Sequence, residues 1–90
     1  MIMYGIRSCI DTVEALKIFD ANGVSIDYRD FNDDIRYLKE FLQIRDQETE
    51  LFAESKEAGG IGIPCYVLPD GTYTLDTAAA LRTAETAGKK

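Results

Sequence analysis

Three segments within the first 30 residues have apolar patterns that change from strand to helix and back to strand. Residues 2–6 form a short, almost continuously apolar run, which is typical of a strand buried on both faces. Residues 10–21 have a helical period, whereas residues 24–28 alternate between apolar and polar positions, as a strand does. Strand, helix and strand in this order predict a βαβ unit with two parallel strands.

The predicted helix over residues 10–21 has an apolar face. That face consists of Val13, Leu16 and Phe19, with Ile18 beside them. Asn22-Gly23 is expected to end the helix, because glycine readily adopts the left-handed conformation that follows a last helical turn.

Two further helices are predicted in the middle of the chain. The polar residues 32–34 are N-cap candidates for a helix that runs from Ile35 to about Ile44. Asp46 can cap a second, short helix that ends at Gly59-Gly60. The apolar positions expected to face the core are Ile35, Leu38, Phe41 and Leu42 in the first helix and Leu51 and Phe52 in the second.

The last third predicts a β-hairpin followed by a helix. Residues 65–68 and 72–75 are expected to pair antiparallel around a turn with Pro69 at its second position. Asp76 or Thr77 caps the final helix. The order β-α-β-α-(α)-β-β-α predicts an α/β fold with a four-stranded mixed sheet flanked by helices.

Size and charge narrow the function classes. Ninety residues suit a single domain, placed at residues 1–87, with a frayed tail over residues 88–90. The net charge of −6 argues against nucleic acid and against an anionic membrane surface as partners. No apolar run approaches a membrane span and no signal peptide is visible, so the cytoplasm is the expected compartment.

The candidate chemistry lies with two cysteines. The chain has no histidine, which excludes Cys–His and Ser–His nucleophilic enzymes, and Cys9 and Cys65 are too far apart in sequence to suggest a zinc site. Cys9 falls where the first predicted strand gives way, through a loop, to the first predicted helix. Unpaired backbone N–H groups and the positive end of the helix dipole favour a thiolate there, and the thiolate is the reactive form.

Four short motifs resemble one known family. Tyr4-Gly5, followed after three residues by Cys9-Ile10-Asp11-Thr12, resembles the active-site motif Tyr-Gly-Ser-x-x-Cys-Pro-Asp-Cys. Residues 38–46 are similar to the second helix of that family, residues 60–64 to its cis-proline loop, and residues 68–76 to its hairpin and last helix cap. The family is that of the small bacterial glutaredoxin-related proteins, within the glutaredoxin and thioredoxin superfamily. The resemblance implies a thioredoxin-like fold.

This resemblance also implies roles for individual residues. Cys9 is the expected nucleophile of a glutathione-linked thiol–disulfide exchange, and no resident cofactor is expected, with glutathione as a co-substrate. Because Ile10 replaces the proline and Thr12 replaces the second cysteine, the exchange is of the monothiol type. The Thr12 hydroxyl is expected to donate to the thiolate. Arg7 is expected to favour the thiolate by its charge and is also a candidate residue for binding the substrate or glutathione.

The binding residues are likewise implied by the resemblance. The backbone of Ile63, before a cis Pro64, is expected to pair with an extended thiol substrate. Asp76 and Thr77 are expected to hold the γ-glutamyl carboxylate of glutathione at the start of the last helix. Arg36 or Lys39 can meet the second carboxylate of glutathione from the second helix.

Several alternatives stay open. Cys65 is expected to be a small buried hydrophobe, and its alternative role is that of a substitute resolving thiol. The chain can also be a non-catalytic thioredoxin-fold adaptor that binds a partner peptide in the same groove. The stretch from Tyr4 to Cys9 is also similar to the arsenate-reductase-like branch of the superfamily. An iron–sulfur cluster shared between two copies is the least favoured alternative.

Overall fold

The structure, a computed structural model, describes residues 1–88. Its elements, in chain order, are β1 (Ile2–Gly5), α1 (Ile10–Ala21), β2 (Asp27–Asp30), α2 (Ile35–Gln47), α3 (Ala53–Glu57), β3 (Cys65–Val67), β4 (Tyr73–Thr74) and α4 (Thr77–Gly88). Gly88, predicted to begin a frayed tail, is the last residue of α4, and Lys89-Lys90 lie outside the described residues. No helix over residues 1–88 is long and apolar enough to cross a membrane.

The four strands form one mixed sheet in the order β2-β1-β3-β4. β1 runs parallel to β2 and antiparallel to β3, and β3 and β4 form the antiparallel hairpin. Met3 therefore lies between Tyr28 on one neighbouring strand and Tyr66 on the other. The predicted α/β class, the parallel βαβ unit and the hairpin are confirmed.

The second strand begins later than its alternating pattern predicted. Val24 and Ile26 precede β2, which starts at Asp27, whose backbone N–H donates to Met1 O at 3.0 Å. Asp27 pairs with Ile2, the first residue of β1, so the parallel ladder begins at this pair. Val24 and Ile26 still pack against the core as half-buried side chains, so the alternation reports burial rather than strand pairing.

Side chains alternate between the two faces of the sheet and build two separate clusters. The α1-side cluster, between the sheet and helices α1 and α4, comprises Met3, Ala15, Phe19, Tyr66 and Ala80. The α2-side cluster, on the opposite face, comprises Tyr4, Phe41, Ile44, Phe52 and Cys65. The sheet is thus covered on both faces, as the predicted helix–sheet–helix layering requires.

The buried helix faces differ in detail from the predicted ones. Thr12, Ala15 and Phe19 are the buried residues of α1, and Ile18 is 41% exposed. The small side chain of Ala15 lets the helix lie close to the sheet. With Ala15 and Phe19 facing the sheet, the 3.6-residue helical period turns position 12, instead of position 13, toward the core. In α2 the prediction is wrong for two positions, because Ile35 and Leu42 are 59% and 40% exposed.

The short third helix also starts later than predicted. Asp46 lies within α2, which continues to Gln47, and α3 begins only after Phe52. Phe52 is fully buried and its ring meets Phe41 edge-on, with centroids 5.7 Å apart. This aromatic contact places residue 52 at the core, and the chain turns into α3 directly behind it.

The predicted caps and turns are largely confirmed. Asp34 caps α2 by accepting from Arg36 N at 2.9 Å, and Gly23 follows α1 with φ of 66°. The hairpin turn closes with Gly71 N donating to Leu68 O at 2.9 Å, which places Pro69 at its second position.

Helix α1 packs tightly against β1 where Thr12 meets Gly5. A Cβ atom added at Gly5 would lie 2.7 Å from Thr12 Oγ1 and 2.8 Å from Thr12 Cγ2. Real Cβ atoms do not reach such distances. Glycine at position 5 is therefore the condition for α1 to begin directly above the end of β1.

Gly5→Ala is expected to lower the free energy of unfolding by about 1–3 kcal/mol, because the added methyl overpacks the contact with Thr12. Thr12→Ala removes both clashing atoms, so the cost of Gly5→Ala should shrink in that background. Urea denaturation of the four proteins of this double-mutant cycle measures the coupling. Gly60→Ala, whose Cβ would meet only Ser55 O at 3.4 Å, is the matched control. An equal loss in both backgrounds would contradict the proposed contact.

Candidate functional site

Cys9 is the N-cap residue of α1. Its backbone is extended, with φ of −93° and ψ of 123°, and its side chain makes no capping hydrogen bond. The loop before it is closed by Cys9 N donating to Ile6 O at 2.9 Å, and the helix starts as Val13 N donates to Cys9 O at 3.1 Å. The half-buried thiol thus lies beside the first helical turn, as the sequence predicted.

The thiol faces an open groove of about 640 Å³. One wall consists of Ile6, Ser8 and Cys9 of the loop and Asp11 of α1, and the other is the segment 58–63 together with Ser55. We call this space the Cys9 groove. Its size and its accessible thiol make it the candidate functional site.

The far wall of the Cys9 groove is fixed from beneath by the core. Gly62 has a φ of 94°, and a Cβ atom there would lie 2.5 Å from the Phe52 ring. Phe52 belongs to the α2-side cluster, so the groove wall rests directly on buried aromatic packing. Only glycine fits at this position without moving that ring.

A second, smaller depression of about 330 Å³ adjoins the groove. Asp11 and Ile63 line both spaces and therefore join them. The other residues around this depression, which we call the Thr77 depression, are Glu14, Ala15, Ile18, Pro64, Leu75 and Thr77. The structure thus brings Cys9, Ile63, Pro64 and Thr77 along one continuous surface.

Ile63 and Pro64 are placed as predicted. The peptide bond between them is cis, and both residues line the Thr77 depression. Within residues 1–88 the backbone N–H and C=O of Ile63 make no backbone hydrogen bond. Both groups therefore remain available to an extended ligand.

Asp76 and Thr77 already have partners within the chain. Asp76 caps α4, since its Oδ1 accepts from Ala78 N at 2.9 Å and from Ala79 N at 3.3 Å. The Thr77 hydroxyl lies 2.8 Å from the Tyr66 hydroxyl. Two of the N–H groups in the first turn, where a glutathione carboxylate was expected, thus hold the carboxylate of Asp76 instead.

Arg7 is directed toward β2. Its Nη1 lies 3.3 Å from Asp30 Oδ2 and 3.9 Å from Asp33 Oδ2. Its guanidinium also stacks 4.8 Å from the centre of the Tyr28 ring. Arg7 lines neither the Cys9 groove nor the Thr77 depression. The prediction that it serves the thiolate or the substrate gains no support from this placement.

The partner of Arg7, Asp30, is a buried carboxylate that sequence reasoning missed. Asp30 is 1% exposed and accepts from the Tyr28 hydroxyl at 2.7 Å, Asn32 N at 2.8 Å and Arg7 N at 3.1 Å. The signal was its position, because the alternation of Val24, Ile26 and Tyr28 places residue 30 on the same, inward face.

These contacts determine the ionisation of Asp30. Burial alone would raise its pKa, but the hydrogen bonds from Tyr28, Asn32 and Arg7, together with the Arg7 charge, hold the pKa below its usual value of 3.8. The charged form therefore ties the loop that precedes Cys9 to the end of β2. Asp30 positions the site without contacting it.

Thr12 does not make its predicted hydrogen bond to Cys9. Its side chain is fully buried against Gly5, and its Oγ1 has no hydrogen-bond partner within residues 1–88. The reason is that position 12, rather than position 13, belongs to the buried face of α1. Thr12 therefore acts in packing in this structure.

Cys65 is a buried core residue, as its first interpretation predicted. It is fully buried in the α2-side cluster, and burial raises the pKa of its thiol to about 12. Cys9 and Cys65 are both free thiols. Because Cys65 faces the α2 side and α1 packs on the other face, its role as a resolving thiol is not supported.

No group of three or more potential metal-ligating His, Cys, Asp or Glu side chains occurs in the part of the chain that the structure describes. Asp11, which lines both the groove and the depression, and Glu14, which lines the depression, were not predicted to be binding residues. The sequence feature that could have indicated them is their separation by three residues, which places both side chains on the same side of the first helical turns.

Comparison with known proteins finds a relative of unknown function. Over 75 residues the chain is 35% identical to an uncharacterized protein of Haemophilus influenzae, a match that covers 83% of this chain and 86% of that protein. No family model and no solved structure matches the chain.

Asp30→Asn is expected to lower the free energy of unfolding at neutral pH by about 1–3 kcal/mol, because it removes the charge that pairs with Arg7 and weakens three hydrogen bonds. The folded-state pKa of Asp30 lies below the unfolded value of 3.8. Its contribution is thus present above that value and is lost as the pH falls through the folded-state pKa. Denaturation at several pH values measures this dependence.

The difference between wild type and Asp30→Asn should therefore be complete near pH 6 and shrink below about pH 4. Asp20→Asn, at an exposed position late in α1, is the matched control. A difference that stays constant across this pH range would show that Asp30 does not act through its charge.

Proposed function

We propose that this chain, which belongs to the same family as the uncharacterized Haemophilus influenzae protein, is a thioredoxin-fold protein that exchanges disulfides through the single thiol of Cys9. The proposal includes the resemblance to glutaredoxin-related proteins and a cytoplasmic location, where thiols are kept reduced. The observation that carries it is the contrast between two thiols. Cys9 lines an open groove at a helix N-terminus, whereas Cys65 is fully buried.

The topology supports the thioredoxin-like part of this proposal. A parallel β1–β2 pair joined by a helix, followed by an antiparallel β3–β4 hairpin on the other side of β1, is the arrangement expected of that fold. The loop before β3 carries the cis Ile63-Pro64 bond and faces the loop of Cys9 across the groove.

The proposed reaction is a single exchange. The Cys9 thiolate attacks one sulfur of a disulfide, a new S–S bond forms between Cys9 and that sulfur, and the other sulfur leaves with the electron pair as a thiolate. No net oxidation or reduction occurs in this step. A second thiol from solution, such as glutathione, then attacks the mixed disulfide and regenerates Cys9.

The free backbone groups of Ile63 support substrate presentation by strand-like pairing. An extended segment laid along this loop would bring its own sulfur toward Cys9, since Ile63 and Cys9 line the same groove. Thr12 and Arg7 retain only structural roles in this proposal.

The non-catalytic adaptor is the second candidate. Ile10, which follows Cys9 in the sequence, is 67% exposed, and Ile61, on the opposite wall of the groove, is 55% exposed. Exposed apolar side chains suit a binding surface. The absence of a second thiol at position 12 also suits a protein that binds without completing a redox cycle. Arsenate reduction is not favoured, because the charged residues that line the groove and the depression are carboxylates.

Exposure to a neutral disulfide, 2-hydroxyethyl disulfide, and to oxidised glutathione is expected to give one covalent adduct, detected by intact mass. The adduct should vanish in Cys9→Ser and persist in Cys65→Ser, because only Cys9 reaches solvent. Cys65→Ser is the matched control, since it removes the other thiol of the chain.

Absence of any adduct with either disulfide, in a protein whose circular dichroism shows it to be folded, would overturn the exchange function in favour of the adaptor. An adduct that survives in Cys9→Ser would also contradict the assignment of the thiol.

Thr12→Cys is expected to convert the monothiol protein into a dithiol one. Residues three apart at a helix start have Cα atoms within the limit of about 7 Å for a disulfide, so the new thiol can displace the adduct on Cys9. Intact mass should then show the loss of two hydrogens instead of an adduct. Thr83→Cys, on α4, is the control that adds a thiol elsewhere. A stable adduct on Thr12→Cys would contradict the predicted conversion and show that the side chain at position 12 stays buried against Gly5.

A further inference from the structure

The charges along the proposed binding surface have one sign. Asp11 lines both the Cys9 groove and the Thr77 depression, and Glu14 lines the latter. Both carboxylate residues are exposed. No lysine or arginine is among the described residues that line either space. The surface that surrounds the thiol thus presents a negative potential to a substrate.

Three of the groups that could attract an anion are engaged within the chain. Asp76 accepts two N–H groups at the start of α4. Arg7 is paired with Asp30, and Arg36, a predicted partner for a glutathione carboxylate, pairs with its own cap residue Asp34 at 2.7 Å. Internal carboxylates thus already engage the start of α4, Arg7 and Arg36, and Lys39, the other cation expected to meet glutathione, lines neither the groove nor the depression.

The groove also has an apolar rim. Ile61, 55% exposed, lies on the wall opposite Cys9, and Ile18, 41% exposed, lines the adjoining Thr77 depression. Beyond Asp11 the surface continues past the free backbone groups of Ile63. A length of extended polypeptide matches this combination better than a small thiol does.

Resting on the exchange function proposed above, we infer that the substrate of Cys9 is a disulfide in a basic polypeptide segment, with apolar and lysine or arginine side chains next to the reacting cysteine, rather than glutathione. The apolar side chains contact Ile61 and Ile18, and the cations face Asp11 and Glu14. Complementary charge speeds encounter and disfavours anionic competitors such as glutathione.

The chemical step is the exchange already described. The Cys9 thiolate forms an S–S bond to the peptide sulfur, and the group that was disulfide-bonded to the peptide leaves as a thiolate with the bonding electron pair. In the test, that leaving group is thionitrobenzoate, and its absorbance measures how much disulfide has been exchanged.

Two matched peptides test the inference. Each contains one cysteine with isoleucine on one side and two variable residues on the other, lysine in one peptide and glutamate in the second, activated as the thionitrobenzoate disulfide. The second-order rate constant of each reaction with the protein is divided by that with 2-mercaptoethanol, a neutral thiol, which corrects for intrinsic reactivity. The lysine peptide should react roughly tenfold faster at low ionic strength, and the ratio should fall toward one at about 0.5 M salt.

Variants assign the preference to the two acids. In Asp11→Asn/Glu14→Gln the ratio of the two rate constants should fall severalfold, even if the overall reactivity of Cys9 changes. Asp20→Asn/Glu50→Gln removes the same number of charges from exposed positions outside both spaces and should leave the ratio unchanged.

The outcomes separate the two proposals. A protein that reacts with 2-hydroxyethyl disulfide but treats both peptides alike, or prefers the glutamate peptide, overturns the inferred substrate class and leaves the exchange function standing. A preference that persists equally in Asp11→Asn/Glu14→Gln also overturns it. A folded protein that reacts with neither peptide nor the neutral disulfide overturns both.

Discussion

The site depends on one buried charge, the carboxylate of Asp30. It sits at the end of β2, opposite Gly5 at the end of β1, and it accepts the backbone N–H of Arg7 in the loop that leads to Cys9. A buried carboxylate is costly unless it is fully hydrogen-bonded, and here hydroxyl, backbone and guanidinium donors all supply that compensation. The loop conformation and the ion pair are therefore one cooperative unit.

This arrangement has an electrostatic consequence for the thiol. The cation nearest to Cys9 in sequence is used to neutralise Asp30, so it stabilises the fold instead of attracting an anionic substrate. In a chain with a net charge of −6, that leaves the neighbouring carboxylate of Asp11 to dominate the groove. The need to neutralise Asp30 thus determines both the position of the loop before Cys9 and the negative sign of the electrostatic potential in the groove.

Much of the fold could be predicted because it follows from short-range patterns. The βαβ unit was predicted from the change between strand-like and helix-like spacing of apolar residues. The hairpin was predicted from turn residues such as Pro69 and Gly71. The same change in the spacing of apolar residues indicated that the first helix starts next to Cys9. The backbone position of Cys9, at the N-cap of α1, was therefore predicted correctly.

The remainder depended on tertiary contacts that no local pattern encodes. Where β2 begins is set by the start of its partner strand, and the onset of α3 is set by burial of the Phe52 ring. Side-chain orientation decided the roles of Thr12 and Arg7, which were predicted to serve the thiol and instead serve packing and an ion pair. The resemblance to a family suggests a role for each residue, but the hydrogen-bond or ion-pair partner of each side chain depends on the rest of this sequence.

The two walls of the Cys9 groove differ in how freely they can change. Gly62 rests on the Phe52 ring, so any larger residue in that wall displaces the aromatic core beneath it. Asp11 and Glu14, by contrast, project from the exposed side of α1, where substitution disturbs no buried packing. New substrate preferences can therefore arise on the α1 side at little cost in stability, while the opposite wall keeps a constant shape.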